Sequence, residues 1–506
     1  MKKTLRPAGL RAAFPGGVPA TARRIATGVA ARLRRTWPVG LLLALMVALA
    51  VPAALVVAPG FIGPEAPAAR PAAPAWQQAP ATLSARQGLS PLNESAPVPV
   101  PSAVAAQLEP LLKADGGGTF TGLVQDALTG QILFDRGGSD NRIPASNMKL
   151  LTAVAALRAL GPEHRFSTTV VAGPSANQVV LRGGGDVLLG AGQSDPDQVM
   201  GHAGLASLAA STVAALQEKG TTGEVTVLVD DSLFNGPALN PAWEKGDVEA
   251  GELAPLYPLA MNSARFSAGV TTGPRPQDSA LTTAEAFAAQ LEAAGATAGI
   301  TVADGVQRVT SPAAPQASIL AEEQSATVSQ QVDLMLQTSD NYLAEVLGRM
   351  SAVAAGQPGS NDAATAAVRA QLGELGIPTD SMQLADVCGL ALGNQVSARQ
   401  FAEVVRAITS GTDTRLRAAL AGFPVAGLTG TLDARYGDDS TARGAGLVRA
   451  KTGTLNSVIA LSGYVVDADG RLLVFSFIGN GLAPGAAGNK EALDRAATAL
   501  AACGCR

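Results

Sequence analysis

Three short stretches of the chain carry side chains that could share an acyl-transfer reaction. In Pro144-Ala145-Ser146-Asn147-Met148-Lys149 a serine precedes a lysine by three residues at the head of a helical pattern, so both side chains leave one helix face. Pro144 suits the first turn, where its missing N–H is not needed. A lysine there sits at the positive end of the helix dipole, and burial would penalise its charge further. Both effects lower its pKa and make Lys149 a neutral base able to take the proton of a Ser146 nucleophile. Ser339-Asp340-Asn341 adds a hydroxyl that can relay a proton between lysine and leaving group, and an amide that can hold a substrate peptide. Lys451-Thr452-Gly453-Thr454, just ahead of a strand pattern, sets a cation and two hydroxyls along one edge, a combination that binds a carboxylate. Gly453 leaves room for another backbone to approach. Each stretch alone also has a plain structural reading: a solvated helix face, a helix cap, a strand-initiating turn.

The elements that must position these residues follow from periodicity. Helical spacing opens the folded part near Val104. Two alternating segments, Phe120 to Ala127 and Gln131 to Asp135, flank the turn Leu128-Thr129-Gly130 and predict a hairpin. A helix is expected from Ser146 to Leu160, stopped by Gly161-Pro162. Between residues 166 and 324 short strands and helices alternate, with helices near Leu205 to Lys219 and Thr283 to Ala294. From Ser325 one long helical run is expected through to Arg349, with Ser339 inside it. Near the end, LNSVIALSGYVVD and RLLVFSFIG flank the turn Ala468-Asp469-Gly470, and a helix from Lys490 to Ala502 closes the chain.

In this order, RIPASNMKLLT, TSDNYLAE and AKTGTL resemble the S-x-x-K, S-x-N and K-T-G motifs of serine β-lactamases and penicillin-binding proteins. Within that superfamily the chain is similar to the type-4 (class C low-molecular-mass) penicillin-binding proteins. Ser146 to Ser339 is far more chain than a compact β-lactamase needs, and LRGGGDVLL, VLVDDSLFNGP and LYPLAMNSA fill it with family-like sequence. The resemblance implies an α+β fold: an antiparallel sheet with helices on both faces, the nucleophile helix between that sheet and an all-helical half, and a large inserted α/β region. The domains implied are a catalytic domain over 104–180 and 325–506 and an insertion over 181–324. It also implies D-alanyl-D-alanine carboxypeptidase activity, with endopeptidase activity as a companion, on peptidoglycan stem peptides. Ser146, Lys149 and Ser339 would be catalytic, and Asn341, Lys451, Thr452, Gly453 and Thr454 would bind substrate. The N–H groups of Ser146 and Thr454 would form the oxyanion hole, β-lactams would acylate Ser146, and no metal or cofactor is called for. Two segments depart from the family pattern: Gly185-Asp186-Val187 replaces Gly-Asp-Pro, and Asp386-Val387-Cys388-Gly389-Leu390 replaces Asp-Gly-Ser-Gly-Leu. Cys388 reads as a small buried residue, and the pairing of Cys503 with Cys505 stays open.

Composition narrows the alternatives. With two histidines in 506 residues, a Ser-His-Asp triad, a His-rich zinc site or a Cys-His protease is improbable, and a net charge of −4 argues against a nucleic-acid partner. Residues 1–64 hold nine basic residues and no acid, leaving 28 basic against 41 acidic residues beyond. The apolar run 39–58 behind the basic segment 1–38 is long enough to span a bilayer, with the basic side cytoplasmic and the catalytic body outside. We read it as an anchor, with a cleaved signal and a secreted product as the alternative. Residues 59–103, rich in Ala and Pro, read as an extended linker. Two rivals remain: a β-lactamase with Glu374 as deacylating base, and a non-catalytic penicillin-binding sensor.

Overall fold

The computed structural model describes residues 92–505. In chain order the elements are α1 (Pro101–Leu108), β1 (Gly117–Asp126), β2 (Ile132–Arg136), β3 (Asn141–Arg142), α2 (Met148–Ala159), β4 (Ser167–Ala172), β5 (Gln178–Arg182), α3 (Leu205–Glu218), β6 (Gly223–Asp230), α4 (Lys245–Glu249), α5 (Ser279–Gly295), β7 (Ile300–Val302), β8 (Gln307–Arg308), β9 (Ile319–Gln324), α6 (Val328–Thr338), α7 (Asn341–Ala354), α8 (Asn361–Glu374), β10 (Val396–Ser397), α9 (Ala398–Ser410), β11 (Arg449–Leu455), β12 (Val458–Val466), β13 (Leu472–Ala483) and α10 (Lys490–Ala501).

The main sheet is antiparallel, in the order β11-β12-β13-β1-β2. The hairpin expected at Leu128-Thr129-Gly130 joins β1 to β2, and Asp126 Oδ1 accepts from the N–H groups of Leu128 and Thr129. β12 and β13 are nearly unbroken apolar runs because both faces of the sheet are covered. Ile459, Leu461, Leu473, Phe475 and Phe477 share one core with α1 and α10. Ala460, Leu472, Val474 and Ile478 join the other, built by α2, α6, α7, α8 and α9. α2 is buried from Met148 to Leu157, as a helix apolar on every side must be. This is the α+β arrangement expected, with the Ser146 helix between sheet and helical half.

The inserted region is a second sheet in the order β7-β6-β5-β4-β9, with β8 also beside β6. It is parallel where β5 meets β6 and β6 meets β7, and it shares a separate core with α3 and α5. This sheet already includes β4, so the inserted fold starts ahead of the boundary expected at residue 181. β4 and β9 pair antiparallel, Ser167 opposite Gln324, which returns the chain beside the point where it left.

Two other expectations change. The long run from Ser325 to Arg349 is two helices. α6 opens on a capping box of Thr327 and Gln330 and ends at Ser339, whose φ of 59° is left-handed. Asp340 then caps α7, its carboxylate accepting from Leu343 N–H at 2.9 Å. An aspartate that bonds its own downstream backbone starts a helix more readily than it continues one. The folded body also begins before Val104. Asn93 N–H donates to Gly470 O at 2.9 Å and Val100 N–H to Cys505 O at 2.7 Å. Arg471, paired with Asp126, donates to the carbonyls of Glu94 and Ala96. The final stretch of the expected linker, residues 93–103, is thus part of the fold. Cys503 and Cys505 form a disulfide, and Cys388 is free and buried. Among the described residues no helix is long and apolar enough to cross a membrane. The basic segment 1–38, the apolar run 39–58 and the linker up to residue 91 lie outside the described residues.

Candidate active site

The chain enters α2 through a 3-10 turn, Ala145–Asn147, rather than through an α-helical start at Ser146. Residues three apart eclipse in such a turn, and Lys149 Nζ comes to 3.0 Å from Ser146 Oγ. The same nitrogen donates to Asn341 Oδ1 and to the Cys388 carbonyl, each at 2.7 Å. Lys149 is wholly buried. Burial pushes its pKa down, opposed by the carboxylates of Asp386, Asp340 and Glu345 nearby.

β11 supplies the opposite side. Lys451, also wholly buried, donates to Ser339 Oγ at 3.0 Å and to the Thr452 carbonyl at 2.8 Å. Burial drives its pKa well below the usual lysine value, and Lys149 lowers it further. Thr452 and Thr431 share a hydroxyl–hydroxyl bond of 2.7 Å. Gly453 is where β11 passes the nucleophile: a Cβ there would lie 2.8 Å from Pro144 O and 3.1 Å from Ser146 N. Ser146, Ser339, Asn341, Thr452 and Thr454 line one cleft of about 860 Å³. All eight residues singled out in the sequence therefore converge here, with Ser339 paired to Lys451 rather than to Lys149.

The model of the D-Ala-D-Ala carboxypeptidase 3 (S13) family matches residues 104–283 and 277–501. The chain belongs to this family. It is accordingly a serine-type D-Ala-D-Ala carboxypeptidase, a hydrolase of peptidoglycan that works through an acyl-enzyme. It is 35% identical to carboxypeptidase DacB of Mycolicibacterium smegmatis, over 92% of this chain and 96% of that one. It is 36% identical to a carboxypeptidase of Mycobacterium tuberculosis, over 86% and 90% respectively. The crystal structure of penicillin binding protein 4 (dacB) from Haemophilus influenzae superposes with a TM-score of 0.63 at 22% identity, covering 79% of this chain and 98% of that one, a likeness of fold.

Several residues of this family member's site were not singled out from the sequence as site residues. The loop 386–390 runs under the nucleophile. Gly389, with φ +91°, has no space for a side chain against Ala145 O, and the Cys388 carbonyl holds Lys149. Cys388 is itself the small buried residue expected, but its backbone is what the site uses. The inserted region also reaches the site. Its Glu252 carbonyl accepts from Asn341 Nδ2 at 3.2 Å, and Glu244, Asp247 and Glu252 form part of the cleft wall. The Asp and Gly of the 386–390 loop were a local signal for a tight turn, whereas nothing local marks Glu252. The other departure, at 185–187, is structural: Val187 is in the core and Gly185 packs on Met350. Glu374, which the β-lactamase reading needs near Ser146, pairs with Arg158 at 3.1 Å. Arg158 is 12 residues beyond Ser146, about 18 Å at 1.5 Å per residue, so Glu374 is out of reach of the acyl group.

Proposed function

We propose that this carboxypeptidase uses Ser146 as nucleophile and Lys149 as base to remove the terminal D-Ala of peptidoglycan stem peptides, and that it also cuts D-Ala cross-links as an endopeptidase. The observation that carries the proposal is a wholly buried Lys149 Nζ 3.0 Å from Ser146 Oγ on an open cleft. An unionised amine has two N–H groups and one lone pair. Asn341 Oδ1 and the Cys388 carbonyl can only accept, so they take the two N–H groups and leave the lone pair to the Ser146 hydroxyl. Ser146 Oγ bonds to the penultimate D-Ala carbonyl carbon as its proton passes to Lys149. The oxyanion then sits between the N–H groups of Ser146 and Thr454. The close approach of Gly453 to Ser146 N supports that placement, and such donors contribute roughly 3–4 kcal/mol each. Ser339 delivers a proton to the leaving nitrogen as the C–N bond breaks and takes its replacement from Lys149, so the proton that left Ser146 ends on the departing amine and Lys149 is neutral again. Water attacks the ester as it loses a proton to Lys149, and that proton passes to Ser146 Oγ as the ester C–O bond breaks, which restores both residues. Lys451, Thr452 and Thr454 hold the terminal carboxylate, and a penicillin occupies the same places.

A labelled penicillin added to the full chain should attach to Ser146 by peptide mapping, and Ser146→Ala should stay unlabelled. A label on another serine would reject the assignment. Mass spectrometry of cross-linked muropeptides after incubation separates loss of terminal D-Ala from opening of the cross-bridge, and no turnover at all would favour the sensor. We also place the catalytic body outside the cytoplasmic membrane, held by residues 39–58. This is where peptidoglycan lies, and nine basic residues precede the run. Protease added to intact protoplasts should release a penicillin-binding fragment; protection until lysis would reverse this topology, and release without protease would mean a cleaved signal.

A further inference from the structure

Beneath Lys149 lies a layer of side chains that the reaction above does not use. Glu345, one turn into α7 and wholly buried, directs a single carboxylate oxygen at two successive backbone N–H groups. Those of Val387 and Cys388 each lie 2.8 Å from Oε1. The carbonyls of the same two residues face α2. Val387 O accepts from Thr152 Oγ1 at 2.5 Å and Cys388 O from Lys149 Nζ at 2.7 Å, and Thr152 and Lys149 are neighbours on one helix face. With its N–H groups pinned on one side, the segment has little freedom to turn its carbonyls on the other. The following residue, Gly389, is wedged against Ala145 and Ser146 N.

Asp386 braces the loop independently. Its carboxylate accepts from Trp243 Nε1, Cys388 Sγ, Asn394 Nδ2 and the N–H groups of Gly389 and Ala391. Glu345, Asp386 and Cys388 bring possible ligand atoms within 4.8 Å of one another. These five donors already occupy Asp386, and burial pushes the Cys388 thiol well up, so it stays protonated. The group is therefore a brace and not a cation site.

We propose that Glu345 is a positioning residue for acylation, setting through the Val387–Cys388 segment the carbonyl that orients the Lys149 amine. The proposal rests on the assignment of Ser146 and Lys149 above. What it requires of Glu345 is one acceptor oxygen at the position of Oε1, not a charge. Oε2 is buried with no hydrogen-bond partner, and burial with Asp386 alongside pushes the carboxyl up to about 7. A glutamine offers the same acceptor in the same place; a leucine of similar bulk offers none.

The test is the rate of the covalent step with a labelled penicillin, separated from the affinity of the non-covalent complex, in the full chain. Glu345→Gln should keep the acylation rate within about threefold. Glu345→Leu should lower it roughly 100-fold, within the range for disabling a general base, while the dissociation constant moves less than about threefold. Wild-type protein that is never labelled on Ser146 would reject the catalytic assignment itself. Given a labelled wild type, three results would each overturn the role of Glu345: a Leu variant as fast as wild type, equal losses in the Gln and Leu variants, or a loss confined to affinity. If Glu345→Leu does not fold, Thr152→Val removes the loop's other tie to α2. It should slow acylation about tenfold, again without loss of affinity, and an unchanged rate would overturn the proposal.

Discussion

Lys149 and Lys451 are the same residue type, both wholly buried, on two sides of one cleft, and their surroundings make opposite demands. Around Lys149 the protein supplies its own acceptors and counter-charges: Asn341, the Cys388 carbonyl, and the nearby Asp386, Asp340 and Glu345. Around Lys451 it supplies a hydroxyl and a carbonyl and no carboxylate that raises its pKa, while Lys149 disfavours a second charge so close by. Both amines are depressed by burial, but only the first depression is moderated from within. The anion that would restore the charge of Lys451 has to arrive with the substrate. Burial sets the direction of a lysine's shift, and where its counter-charge comes from decides whether the residue serves as a base or as a receptor.

The contrast breaks most directly at Lys149. Lys149→Ala should slow acylation by about 10²–10⁴-fold, the usual span for losing a general base. Lys451→Ala should slow it about tenfold, mostly through weaker binding of the carboxylate; equal losses measured with labelled penicillin would dissolve the distinction. Next in size is Gly453→Ala, which forces β11 away from Pro144 O and Ser146 N. Overpacking of this kind costs about 1–3 kcal/mol, and both the melting temperature and the acylation rate should fall. The receptor side is sharpened by pH. A bound carboxylate raises the pKa of Lys451 from its depressed free value, so binding takes up a proton and weakens as pH rises. The KM advantage of a peptide ending in D-Ala carboxylate over its carboxamide should shrink with increasing pH, by at most about tenfold per unit. A constant ratio would show that Lys451 is charged before substrate arrives. The smallest effect is Asp340→Asn, which keeps the α7 cap and removes one anion facing Lys149. Since that anion raises the pKa of Lys149, its loss lowers it, and the acid limb of the acylation profile should move to lower pH. Stability should change by less than about 0.5 kcal/mol, since Asn caps as well as Asp.

The motif residues were legible because their chemistry is carried by type and short spacing, and the 3-10 turn brought Ser146 and Lys149 together as an α-helical turn would have. The break at Ser339 was less legible. Apolar periodicity runs on through TSDNYLAEVLGR, and the Asp cap inside it competes with a strong helical pattern. Residues 93–100 look like linker because their partners, Gly470, Arg471 and Cys505, lie at the other end of the chain. β4 was recognisable as a strand, but it lies between β5 and β9, and β9 comes some 150 residues later. Glu345 had no local signal at all: its purpose is two N–H groups 42 and 43 residues away.

The clasp at the front of the fold also determines how the molecule bears tension. Anything that pulls on the chain ahead of residue 92 meets first the bonds from Asn93 to Gly470, from Glu94 and Ala96 to Arg471, and from Val100 to Cys505. When these give way the load passes along the chain to α1. β1 lies against β13, and the sheet continues through β12 to β11 and its Lys451. Three of these four bonds end on Gly470 and Arg471 in the β12–β13 turn, and Arg471 is paired with Asp126 at the end of β1, so a tug on the N-terminal end is shared at once among three strands of the sheet instead of peeling one away.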